Sequence, residues 1–279
     1  MSIKTLLYAF LCYNITLNGG HMITLLNKFD DNYVIGKIND ICDIVSPYIR
    51  QYNLGGYLKD ISFNPESKYL AYYNIRTNRL FFNDEKIIRT GYRLFDQLRR
   101  KYQISEKYYT YFLNYFYLYI IYHELTHVYQ KARDESTLNE LYLYLYELCD
   151  QLRKESVHFY NKFHDLFPME REAINNGALV AYNLMKYTKL PGYECKVMRL
   201  KYFKIITADY ELVNQSQVIS PIETLLNKYP ERLEKINELS KTAKLSKEMK
   251  FNFGLPVSTQ ELKNVNFTKK KILYQINKA

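Results

Sequence analysis

Five consecutive residues, His123-Glu124-Leu125-Thr126-His127, place two imidazoles and a carboxylate where they can act together. On an α-helix, residues four apart lie one turn up the same face, so both histidines can reach one ion. Two neutral imidazoles bind Zn²⁺ well and leave room for a third protein ligand and a water. The glutamate between them sits beside the first histidine, where it can take a proton from that water. The chemistry expected of this spacing is therefore metal-assisted hydrolysis, with His123 and His127 as ligands and Glu124 as general base.

That chemistry requires a helix, and the flanking sequence predicts one. From Tyr111 to Tyr122 the chain is apolar or aromatic apart from Asn114, with no Gly or Pro. Val128 to Arg133 continues without a breaker and turns polar. The uninterrupted run predicts one long core helix over Ser105–Ala132. Asn114 and the many tyrosine hydroxyls argue against a membrane span, although the run is long enough for one.

A hydrolytic zinc site needs a third ligand. Phe167-Pro168-Met169-Glu170-Arg171-Glu172-Ala173 opens a second predicted helix, with Pro in its first turn and two early acids, continuing through Met185. His-Glu-Leu-Thr-His-Val-Tyr-Gln, followed by Phe-Pro-Met-Glu-Arg-Glu-Ala, resembles the H-E-x-x-H … E-x-x-A pattern of gluzincin zinc peptidases. The likeness is greatest to small phage and bacterial peptidases of the ImmA/IrrE kind, and more distant to HtpX-like enzymes. The resemblance implies Glu170 as third zinc ligand, because Glu170 to Ala173 matches E-x-x-A; Glu172 is the alternative. The family's orienting Asp or Asn, four residues past that glutamate, would be Ile174 counted from Glu170 and Asn176 counted from Glu172. A further helix, Thr137 to Phe163, is predicted between the two motifs.

Ahead of the metal helix, Ile61–Asn64, Lys68–Asn74 and Arg79–Asn83 are short aromatic-rich runs separated by turn residues. They predict three antiparallel strands, with Leu80–Asn83 as the edge to which a substrate peptide could add. The expected fold is α+β and predominantly helical. It is a zincin-like core with a small antiparallel three-stranded sheet packed on the H-E-x-x-H helix.

Composition bounds the remainder. The chain has 279 residues, 47% hydrophobic and 16% aromatic, enough to bury a sizeable core. Thirty tyrosines and no tryptophan, with abundant Lys, Asn and Ile, fit an AT-rich genome such as a low-GC bacterium or a phage. Cys12, Cys42, Cys149 and Cys195 lack C-x-x-C spacing and are expected to be reduced, buried thiols. His158 and His164, six apart, do not share a helix face with each other, and His21 suggests no role. No zinc finger, helix-turn-helix signature or phosphate-binding loop accompanies the motif.

Residues 1–24 read as an N-terminal extension. Gly19-Gly20-His21-Met22 could encode a ribosome-binding sequence ahead of a start at Met22, whereas the Leu6–Leu11 run lacks a clean signal-cleavage site. The catalytic domain is expected over 25–188, ending at Lys189-Leu190-Pro191-Gly192, with a helical, lysine-rich region over 189–279. From Lys241 onward nine lysines face two glutamates, supplying most of the net charge of +10. Such a tail suits nucleic acid, an acidic partner or a membrane surface, or simply a solvated face. The expected activity is zinc-dependent endopeptidase hydrolysis of a protein substrate in the cytoplasm of a bacterial host. The competing reading is a non-catalytic binding or structural protein, for example a virion component, that retains the fold.

Overall fold

The computed structural model describes residues 33–133, 168–188 and 192–212, together with Glu231, Glu234 and Glu238. Among these, the elements are α1 (Ile38–Gln51), β1 (Asp60–Phe63), β2 (Ala71–Asn74), β3 (Arg79–Phe82), α2 (Asp84–Tyr102), α3 (Tyr109–Arg133), α4 (Pro168–Leu184) and α5 (Tyr193–Leu212). Single 3₁₀ turns precede α3 and follow α4. The architecture is mostly helical with one small sheet, an α+β arrangement. The predicted helix at Thr137–Phe163, residues 1–24, Cys12, Cys149, His21, His158, His164 and the lysine-rich tail lie outside the described residues.

The chain divides into two compact units, 1–133 with 173–210 and 134–172 with 211–279. The sheet, the helices up to Arg133 and Tyr202 of α5 belong to the first. Of the second, the described residues are mainly the first turn of α4 and the end of α5, and α4 runs unbroken across the cut after Glu172.

The sheet corrects the sequence reading in two respects. Its order is β1-β3-β2, and β1 pairs with β3 in parallel, so the sheet is mixed rather than antiparallel. The strand expected at the edge, Leu80–Asn83, is instead the central strand β3. Both differences follow from the connections. Asn74 Oδ1 accepts from the amides of Arg76 and Thr77, and Asn78 takes a left-handed φ of 58°, closing a tight turn that pairs β2 antiparallel with β3. The longer 64–70 connection carries the chain from β1 past one strand position, and the hairpin then folds β3 back into the gap. Apolar alternation carries no information on that order. The central position agrees with burial, since Leu80 and Phe82 are fully enclosed.

Asn83 joins sheet to helix. Its Oδ1 accepts the Lys86 amide, capping α2, while its Nδ2 donates to the Pro65 and Ser67 carbonyls of the β1–β2 connection. Asp84 and Glu85 in the first turn, and Arg99 to Lys101 in the last, complement the helix dipole.

Helix α3 lies at the centre. Seventeen of its 25 residues are buried, on every side of the helix, so it is enclosed by neighbours instead of facing one. Asn114 fits there because it is satisfied. It accepts from the Ile35 amide and donates to the Tyr33 carbonyl, holding the extended entry segment as a strand neighbour would. Tyr202 of α5 inserts edge-on among Phe112, Tyr115, Phe116 and Tyr119, with ring centroids 4.9–6.2 Å away. Strand β2 also packs on α3. Among the described residues no helix is long and apolar enough to cross a membrane.

Candidate metal centre

Helices α3 and α4 run antiparallel, and two contacts set their register. Tyr111 Oη donates to the Met185 carbonyl. Eight residues further along α3, the backbone at Tyr119 and His123 meets Gly177 of α4. A Cβ at Gly177 would lie 2.8 Å from Tyr119 O and 2.9 Å from His123 N, so only glycine permits the approach. Glu170 precedes Gly177 by two helical turns on the same face, a displacement of about 10 Å. Counted in the opposite direction along α3, that offset leads to the turn bearing His123 and His127.

His123, His127 and Glu170 accordingly form a group whose candidate ligand atoms all lie within 4.8 Å of one another. The two Nε2 atoms are 3.3 Å apart and the rings stand at 82° to each other. With Zn–N bonds of about 2.0–2.1 Å, tetrahedral coordination places two nitrogens about 3.3–3.4 Å apart. The histidine pair thus fits a zinc ion in both spacing and donor type, and the carboxylate completes a His₂Glu set.

Burial is graded across the site. Glu170 is 1% exposed and His127 8%, while His123 is half-buried. Glu124 follows His123 directly and is also buried. Glu172 is not part of the group: two residues from Glu170, it lies about 200° around the helix and is half-buried. Thr126 returns its hydroxyl to the Tyr122 carbonyl, a local bond that satisfies a buried polar group. The Tyr119 ring stands edge-on to His123 with centroids 6.0 Å apart.

Two residues of the centre were missed in the sequence. Gln130, 1% exposed, holds Oε1 2.8 Å from His127 Nδ1. Its signal was a glutamine three residues past the second histidine on the buried face of an apolar helix. Gly177 had a signal too, as an interior helix glycine seven residues past the candidate ligand. Further along α3, Lys131 Nζ donates to Ile75 O and Asn78 Oδ1, tying the β2–β3 turn to the end of that helix.

Cys195 is buried and Cys42 half-buried, and burial pushes the Cys42 thiol up from its ordinary value. Compared with protein-family models, with curated proteins and with solved structures, the chain shows no match.

Proposed function

We propose that this chain is a zinc-dependent metallopeptidase with a zincin-like core, whose metal is held by His123, His127 and Glu170. The observation that carries the reading is the convergence of these three side chains from two helices, with a nitrogen spacing that suits tetrahedral zinc. Their order along the chain is that of the gluzincin pattern. Zinc, when bound in such a set, acts as a Lewis acid and brings the pKa of a water to about 7.

The remaining chemistry belongs to Glu124. Its carboxylate accepts a proton from the attacking water as the oxygen adds to the scissile carbonyl carbon. It returns that proton to the amine nitrogen as the C–N bond breaks, so one carboxylate serves first as base and then as acid. Its burial beside a half-exposed His123 suits this role, because a water-poor site strengthens each charge it contains. The substrate in this reading is a peptide or protein. Sheet edges among the described residues are β1 and β2, and β2, the strand that packs on α3, is the better placed to take an extended backbone.

Glu124→Gln tests the proposal. Zinc content by elemental analysis and the melting temperature should match the parent chain, while cleavage of a protein substrate falls by at least about 10²-fold. His123→Ala should lose the metal. A Glu124→Gln protein that keeps zinc and full biological activity would show that the metal is structural and the chain a binding or structural protein.

A further inference from the structure

We propose that Gln130 is a positioning residue of the metal centre, one that fixes His127 in the tautomer able to ligate through Nε2. This rests on the metal reading above. Neutral imidazole carries one proton, and whichever nitrogen bears it cannot bind a cation. His127 is engaged at both nitrogens. Nε2 faces His123 Nε2 at 3.3 Å, and Nδ1 lies 2.8 Å from Gln130 Oε1. An amide oxygen only accepts, so the Gln130 contact is a bond when the proton is on Nδ1. That leaves the Nε2 lone pair directed at the site.

Three features make the arrangement a device rather than an incidental contact. Gln130 lies three residues past His127 on the same helix, so its reach is set by α3 itself and not by a loop. Gln130 and His127 are both buried, so their polar atoms are satisfied within the protein rather than by bulk water. At the position four past Glu170, where the gluzincin resemblance expects an orienting Asp or Asn, the chain carries Ile174, which has no polar group to offer a histidine. Partners that orient ligating histidines are ordinarily worth about 10–100-fold in metal affinity.

The test uses the whole chain. In the metal-free protein, long-range ¹H–¹⁵N NMR should show His127 protonated at Nδ1. In Gln130→Met the proton should shift toward Nε2, and Zn²⁺ affinity by competition with a chromogenic chelator should fall about 10–100-fold. Gln130→Glu keeps an acceptor at the same place and should recover both the tautomer and most of the affinity, which a merely space-filling role would not require. His127 protonated at Nε2 in the parent protein would overturn the proposal, and that measurement does not depend on whether the Met variant folds. So would a folded Gln130→Met protein with zinc affinity within twofold of the parent. If the parent chain binds no zinc at all, the metal reading fails, while the tautomer measurement still decides the Gln130–His127 bond.

Discussion

Glu170 and Glu172 differ by two positions and by their place on a helix, and that difference decides which can reach the histidines. Glu170 is enclosed at 1% exposure within reach of both rings, whereas Glu172 projects from another side of α4. A carboxylate that deep costs several kcal/mol to desolvate unless charge and hydrogen bonds compensate it. Glu170→Gln keeps the shape and removes the anionic ligand. We expect zinc affinity to drop by more than about 10²-fold, beyond the loss typical of an orienting partner, with Glu172→Gln within a few-fold of the parent. Chelator competition distinguishes the two, and equal losses would mean that the glutamates share the role. Sequence spacing left both open because the E-x-x-A and Asn-bearing registers each satisfied part of the pattern.

At the scale of elements, the decisive contact is backbone against backbone. Gly177→Ala would push a methyl into Tyr119 O and His123 N, atoms of a buried helix that cannot step aside. Overpacking of this kind costs about 1–3 kcal/mol, against about 1 kcal/mol gained from alanine's helix propensity. The expected result is a net loss of stability and weaker zinc binding. Gly91→Ala is the control: its Cβ would meet the side chains of Leu113 and Phe116 rather than backbone, so the net change should be smaller. Denaturant midpoints of both variants, with zinc titrations, check this; equal destabilisation would refute the distinction.

The same scale explains what was readable in advance. The extents of α3 and α4 were legible because Gly-free apolar continuity and a Pro-led first turn are local signals. Sheet order was not, because it depends on where the 64–70 connection goes, and nothing in strand residues encodes that. The site residues lay between these extremes. The spacing of His123, Glu124 and His127 marked a candidate site in the sequence, whereas the Gln130–His127 contact shows only once the ring orientation of His127 is known.

Over the whole molecule, the tyrosines that fill the interior set an alkaline limit on stability. Burial pushes Tyr111 and Tyr52 up to about 12, and Tyr115 and Tyr202, buried among other rings, well above the ordinary value of 10.0. The folded state holds these protons longer than the unfolded chain, which releases them near pH 10. Stability is therefore fully present below pH 10 and is lost as pH rises from 10 through 12, by at most about 1.4 kcal/mol per pH unit for each fully buried tyrosine. Denaturant midpoints between pH 8 and 12 should fall steeply only above 10, together with the rise of tyrosinate absorbance. A flat profile would contradict this account of the core.

In the zinc reading proposed above, the Gly177 contact bears on which ions the site would take. Where two helices meet through side chains, the spacing can adjust by rotamer changes; where they meet through backbone, as at Gly177, the gap at that contact is set by the close approach. Ca²⁺ takes six to eight oxygens at about 2.3–2.6 Å in flexible cages, and its accommodation would require α4 to move off α3 or recruit ligands the pair does not present. In that reading, a gauge set by a missing methyl group would favour small cations with few ligands, from a position that touches no ion.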